Sequence, residues 1–311
     1  MFYSLKDKLS RLHFNYSSRA LLKTAPIELN PDSRLAILSL HQHKDMLMYL
    51  LAIKSFAAHI PIGAVHIIND GTLTRKDEIL LRAHIPNVQI RPIQEVNTGT
   101  CPRGGCWERL LSIVELSRDW YVIQLDTDTL ALGNLQEVAD CVANNEAFSI
   151  GTWDGQTFES MLERQQVAQQ LIAAKSHSHI QVIAEANFHL LQGFEQMRYV
   201  RGCAGFSGFS KGGMDRAFIE RISSEMSAGL GARWNEWGTE QVMSNIVVAN
   251  SPASRVLPHP KYCDCTKIRD GQTHFVHFIG ACRFKQGVYA RFARQVIAGL
   301  TSAARAGAGE A

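Results

Sequence analysis

The sequence predicts an α/β protein with a Rossmann-like, doubly wound sheet. Short apolar runs of strand length lie at 35–41, 64–68, 88–90 and 121–125, and segments of helical spacing separate them at 45–58, 74–84 and 107–116. That alternation is the βαβ pattern of a parallel sheet with helices on its faces. With 311 residues, 46% hydrophobic and 20% charged, the chain can fill the core of one large α/β domain with appendages.

Each element has a local reason. The breaker pair Asn30-Pro31 precedes the first strand, Leu35-Ala-Ile-Leu-Ser-Leu-His41, and the following helix must stop before Pro61. The second strand, Ala64 to Ile68, runs into Asn69-Asp70-Gly71, an acidic turn. Thr74 is placed to cap the next helix, with Asp77 and Glu78 in its first turns. Residues 97–105 are a Gly/Cys loop, and Trp107 to Leu116 leads into the strand Tyr121-Val-Ile-Gln-Leu125. Beyond it we expect a helix at 134–144 and a strand at 147–150. One or two inserted helices are expected over 156–195, whose His177, His179 and His189 would face solvent or a partner helix rather than a metal. The run 203–213 is too glycine-rich for a helix and suits a strand approached closely by a ligand or another backbone. Helices at 214–227 and 239–249, strands at 255–257 and 275–280, and a frayed Ala/Gly/Ser tail complete the chain.

Several function classes are excluded. No G-x-G-x-x-G follows the first strand and no Walker loop occurs, so no nucleotide is held by a glycine-rich phosphate loop. A net charge of +3 gives no support for nucleic-acid binding. No apolar run reaches the ~18 residues of a membrane span, and no signal-peptide core is visible. The N-terminus is basic, with Lys6, Lys8, Arg11, Arg19 and Lys23 against Asp7, and carries Phe2, Tyr3, Leu5, Leu9, Leu12 and Phe14. Two readings follow: a helix packed on the domain's own flank, which we favour, or peripheral membrane contact through residues 1–24. The seven cysteines, at 101, 106, 141, 203, 263, 265 and 282, are odd in number and lack a framework spacing, which suits a reducing compartment. A zinc site from Cys101, Cys106, Cys263 and Cys265 is the minor alternative to buried or loop thiols.

The chemistry concentrates at Asp126-Thr127-Asp128, directly after the fourth strand. Carboxylates there face the crevice at the carboxyl ends of the strands, where α/β sheets bind ligands, and hard divalent cations prefer such oxygens. Alone the motif also fits a solvated turn. Glu240 and Gln241 sit at a helix start, where acids favour the macrodipole, His277 sits in an apolar strand, and Arg283 and Lys285 follow Gly280.

The order of these pieces is more telling than any one of them. Asp-x-Asp, a Gly-rich Ala204-Gly205-Phe206 strand, Glu240-Gln241, Leu257-Pro258-x-x-x-Tyr262 and His277-Phe278-x-Gly280-x-x-Arg283 succeed one another. The succession resembles the GT-A glycosyltransferases, most nearly the glycogenin-like and lipopolysaccharide galactosyltransferase-like branch, over about residues 35–290. The resemblance implies a single GT-A domain at 31–295, with a mixed central sheet flanked by helices and an insertion at 156–195. A helical extension at 1–30 would precede it and a tail at 296–311 follow it. It implies Mn²⁺ (or Mg²⁺) held by Asp126, Asp128 and His277, and a UDP-sugar whose diphosphate meets Arg283 near Gly280. Gly205 would line the donor, His41 and Asp70 would border the nucleoside, and Glu240 and Gln241 would line the sugar and acceptor pocket. The implied partners are a nucleotide-sugar and a glycan or lipid-linked acceptor. The cysteine pattern and the missing signal core suit a cytoplasmic location, and the basic, partly apolar N-terminus offers peripheral contact at the inner membrane face as the alternative to packing on the domain. The chain differs from the family at Cys203, where Asn is usual, and at Arg283-Phe284-Lys285, where Lys-Pro-Trp is usual.

Two other readings compete. A haloacid-dehalogenase-type phosphohydrolase needs Asp-x-Asp-x-Thr, and Thr129 comes one place early. A scaffold protein retaining a GT-A shell would have little need of Asp126, Asp128, His277 and Arg283 together.

Overall fold

The computed structural model describes residues 2–174 and 179–308, so His177 lies outside the described residues. In chain order the elements are α1 (Phe2–Ser17), β1 (Leu35–His41), α2 (Met46–Ala57), β2 (Ala64–Asn69), α3 (Arg75–His84) and β3 (Gln89–Pro92), followed by α4 (Trp107–Leu116), β4 (Tyr121–Leu125), β5 (Thr129–Ala131), α5 (Gln136–Ala143) and β6 (Ala147–Gly151). Next come β7 (Glu159–Ser160), α6 (Met161–Ala173), α7 (Ile180–Ala186), β8 (Arg198–Tyr199), β9 (Gly202–Phe209) and α8 (Arg216–Leu230). The chain finishes with α9 (Thr239–Ala249), β10 (Ser254–Leu257), β11 (Tyr262–Asp264), β12 (Phe275–His277) and α10 (Val288–Ala308). The central sheet has seven strands in the order β10-β6-β9-β4-β1-β2-β3. It is mixed, because β1 and β2 are parallel while β6 and β9 are antiparallel.

Two compact units are distinguished: residues 1–91, 125–136 and 260–311, and residues 92–124 and 137–259. In the first, β1 pairs with β2 from Ala36 opposite Ala64 to His41 opposite Asn69. The helix α2 is buried nearly all round, from Met46 to Phe56, because it lies under other elements rather than at the surface. Its Lys54 is 2% exposed and donates to the Ala25 carbonyl, and burial lowers its pKa to about 8. Thr74 and Asp77 form a reciprocal capping box at the start of α3, as their spacing predicts. A second sheet, β11-β12-β5, is built on the strand expected at 275–280, which is β12; its neighbours β5 and β11, three residues each, have no counterpart in the sequence reading.

The N-terminal helix packs on its own unit. Phe14 is buried with its ring 4.5 Å from that of Tyr289, and Arg11 reaches Asp45 at 2.5 Å. Its partner in this packing, α10, continues helical structure to Ala308 through the segment read as a tail; residues 309–311 lie outside the described set. Among the described residues no helix is long and apolar enough to cross a membrane.

In the second unit, the 156–195 region holds α6 and α7, with the two-residue strand β7 ahead of them. A buried ion cluster ties this region down: the Glu185 carboxylate, 1% exposed, lies 3.6 Å from Arg164 and 3.4 Å from Arg201 and accepts from the Tyr199 hydroxyl at 3.2 Å. Burial pushes the Glu185 carboxyl up, and the two guanidiniums oppose that shift. His179 is exposed and accepts from Gln181 N at the start of α7, and His189, also exposed, meets Gln165. The glycines of β9 make room for side chains: a Cβ on Gly208 would stand 2.3 Å from the Tyr121 hydroxyl and 2.4 Å from the Phe148 ring.

Candidate metal and phosphate site

The first unit builds its site from a turn and two short strands. After Leu125 the chain turns through Asp126-Thr127-Asp128, and Thr129 closes the turn by donating from N and Oγ1 to the Asp126 carbonyl, at 3.3 and 2.8 Å. Thr129 begins β5, which runs antiparallel to β12 with Thr129 opposite His277. Phe278 N donates to the Asp128 carbonyl at 2.8 Å, and Cys265 N to that of His277 at 3.0 Å. The ladder thus fixes His277 beside the turn.

The ligating atoms of Asp126, Asp128 and His277 lie within 4.8 Å of one another. His277 Nε2 is 3.3 Å from Asp128 Oδ1 and 3.9 Å from Asp126 Oδ2. Two carboxylates and one imidazole suit a divalent ion such as Mn²⁺ or Mg²⁺, so the residues fit the metal that the motif implies. Gly280, at φ +37°, begins the single turn Gly280–Cys282, which brings the chain back to Arg283. There the guanidinium pairs with Asp128 Oδ2, and Nε donates to the Phe278 carbonyl at 3.1 Å. Burial alone would raise the Asp128 carboxyl, but His277 and then Arg283 outweigh it and hold the group below its usual range.

His41 and Asp70 stand together at the ends of β1 and β2, with Asp70 N donating to the His41 carbonyl at 3.1 Å. The His41 ring is fully buried against Tyr49, 4.7 Å between centroids, and burial lowers its pKa to about 4. The Asp70 carboxylate accepts from Thr72 N and Oγ1.

In the second unit, Gly205 is buried within β9, and Gln241 Nε2 donates to the Gly202 carbonyl at 2.8 Å. Glu240, 3% exposed in the first turn of α9, accepts from Ser244 Oγ at 3.0 Å and pairs with Arg109 of α4 at 3.3 Å. Trp107 Nε1 donates to Thr239 Oγ1 at 3.0 Å, fixing the same helix start.

Sequence reasoning left Arg109 without a role. The available signal is chemical: a carboxylate buried in a helix start calls for a cation, and Arg109 is the one basic residue of a largely apolar helix. Cys101, Cys141 and Cys263 are buried thiols, as the sequence favours, and only the minor zinc alternative is overturned. Cys265 is disulfide-bonded to Cys282, so it cannot complete a zinc site with Cys101, Cys106 and Cys263, which form no disulfide. One pair hidden in an odd count leaves no framework spacing to read. The disulfide closes the segment carrying His277 just ahead of Arg283.

No family model and no curated protein matches the chain. Solved structures do. An active-site mutant of LgtC shares 14% identity at a TM-score of 0.50, covering 85% of this chain and 95% of its own. The galactosyltransferase LgtC with donor and acceptor sugar analogues gives 14% and 0.49, over 86% and 96%. WbbM, a bifunctional glycosyltransferase, gives 12% and 0.46; this chain, 86% of it aligned, covers 53% of WbbM, about half its length. At such identities the likeness is one of fold: the chain has the fold of GT-A-type glycosyltransferases.

Proposed function

We propose that the protein is a metal-dependent glycosyltransferase that moves a hexose from a UDP-sugar to an acceptor hydroxyl on a glycan or lipid-linked glycan. The observation that carries this reading is the convergence of Asp126, Asp128 and His277 within 4.8 Å, with Arg283 on the same carboxylate. The GT-A-type fold supports it, and the choice of UDP rests on the resemblance carried by the Asp-x-Asp and His-x-x-Gly-x-x-Arg patterns. A bound Mn²⁺ would neutralise diphosphate charge as the sugar bond breaks. Arg283 would add guanidinium donors to the departing phosphates. Glu240, held by Arg109 and Ser244, would orient the acceptor hydroxyl or the sugar, with Gln241 beside it in sequence. Gly205 and Gly280 would let the donor approach backbone, and His41 and Asp70 would border its nucleoside. A lipid-linked acceptor would draw the enzyme to a membrane face, with residues 1–24 as the contact.

Thermal unfolding with UDP, GDP and ADP, each with and without Mn²⁺, tests the reading on wild type and Asp128→Ala. A ligand at 100 times its dissociation constant stabilises by ~2.7 kcal/mol. Mn²⁺-dependent stabilisation by UDP that Asp128→Ala abolishes is the expected result. Indifference of the folded wild type to every nucleotide would replace the enzyme by a scaffold.

A further inference from the structure

We propose that the Cys265–Cys282 disulfide is a thiol-exchange site, and that a dithiol which opens it releases the Arg283 segment. The bridge joins two segments of unequal firmness. Cys265 follows β11, and its N donates to the His277 carbonyl at 3.0 Å, which fixes its backbone to the β11-β12-β5 ladder. Cys282 ends the single turn Gly280–Cys282 and directly precedes Arg283. From 279 to 287 the chain has only this turn and a second one, Lys285–Gly287. Its backbone bonds from Arg283 N to the Gly280 carbonyl and from Gly287 N to the Phe284 carbonyl are long, at 3.3 and 3.5 Å. Gln286 stands at φ +55°, a conformation that side chains disfavour. Such a stretch opens more readily than a strand ladder, so a covalent bond at its start holds what its hydrogen bonds hold weakly.

What the bridge holds is Arg283. The guanidinium pairs with Asp128, and Nε donates to the Phe278 carbonyl at 3.1 Å. The next residue, Phe284, rests against Phe14 with 6.0 Å between ring centroids. Arg283 therefore lies between two anchors, a covalent one before it and an aromatic one after it. Opening the bridge removes the first, and the guanidinium loses its preset place on Asp128. The consequence for ligands rests on the proposed metal and phosphate site; the release of the segment does not.

The bridge can be reached from solution. Both of its cysteines are half-buried, and they lie beside Ile279, which is 39% exposed and whose carbonyl is 3.2 Å from Cys282 Sγ. The chain offers no internal attacker close in sequence. Cys263, two places before Cys265, is buried with Sγ 3.9 Å from Thr273 Oγ1, and burial pushes its thiol up to about 11. The attacking thiolate therefore comes from a dithiol in solution. It bonds to one bridge sulfur, and the other leaves as a cysteine thiolate. The second thiol of the reductant then displaces the protein from the mixed disulfide. The bridge takes up two electrons and two protons to become two thiols, and the dithiol is oxidised to its own disulfide.

The test compares the full chain before and after treatment with dithiothreitol, which is removed without air before metal is added. Hydrogen exchange by mass spectrometry reads residues 279–287, and the spin resonance of free Mn²⁺ reads binding at the site. Wild type is set beside Cys265→Ser/Cys282→Ser. Reduction should speed exchange in 279–287, leave β4 unchanged, and weaken Mn²⁺ binding, alone or with UDP, by about tenfold. Reoxidation should restore both readings, and the variant should match reduced wild type and ignore the reductant. Unchanged exchange in reduced wild type would overturn the proposal, as would a variant that still responds to dithiothreitol or a bridge that opens only in denaturant. Faster exchange with full Mn²⁺ affinity would overturn the link to the site. A wild type that binds neither Mn²⁺ nor UDP in either state defeats the glycosyltransferase reading, and exchange in 279–287 then decides this one alone.

Discussion

Replacing Arg109 by Met should destabilise the protein by about 3 kcal/mol at neutral pH. The side chains of Arg109 and Glu240 are only 6% and 4% exposed, and 3.3 Å separates their charged atoms. At an effective dielectric near 20 the attraction is about 5 kcal/mol, and breaking a buried pair from one side costs about 3–5 kcal/mol. The hydroxyl of Ser244, still donating to Glu240 Oε1 at 3.0 Å, puts the expectation at the low end. The assay is urea unfolding of wild type, Arg109→Met, Glu240→Gln and the double variant. The double variant should recover much of the loss, giving a coupling of about 2 kcal/mol, since no carboxylate is then buried without its cation. In Arg109→Met, burial would raise the Glu240 pKa in the folded state above its unfolded value. Stability then increases as pH falls through that folded pKa, so the deficit should shrink between pH 7 and about pH 5. A deficit below about 1 kcal/mol, additive single effects, or a deficit indifferent to pH would refute the reasoning.

Other expectations follow from single sites. Burial of His41 lowers its folded pKa to about 4 against 6.5, so the unfolded state binds more protons between those values and stability is lost as pH falls through that window. The loss should approach about 3 kcal/mol near pH 4, and His41→Phe should flatten that part of the curve of urea stability against pH. His277→Ala should weaken Mn²⁺-dependent UDP stabilisation by at least about tenfold in apparent affinity, read by thermal shift, while GDP and ADP stay without effect. Alkylation in denaturant without reductant should modify Cys101, Cys106, Cys141, Cys203 and Cys263 and leave Cys265 and Cys282, seen by intact mass and peptide mapping. Gly208→Ala should cost about 1–3 kcal/mol in urea unfolding, because its methyl would meet the Tyr121 hydroxyl and the Phe148 ring.

Local chemistry made much of the fold legible. The capping pair Thr74/Asp77, the stops before Pro61 and at Gly71, and the apolar runs that became β1, β2, β4 and β6 are all decided within a few residues, so their boundaries can be read directly. The turn of Asp126 and Asp128 was readable for the same reason: a strand of five buried residues has to end where carboxylates begin. Tertiary structure decided what depends on distant partners. β5 and β11 are three residues each and exist because both pair with β12, the strand its own apolar run announced, and only that ladder sets His277 opposite Thr129. The arginine on Asp128, the cation on Glu240 and the bond between Cys265 and Cys282 are likewise meetings of remote segments. Gly208 shows the same division, since its sequence announces a close approach and only packing says that aromatic rings make it. Residue type and spacing determined which groups this protein has that could hold a metal and a phosphate. Long-range strand pairing, whose register no local pattern encodes, decided that they meet.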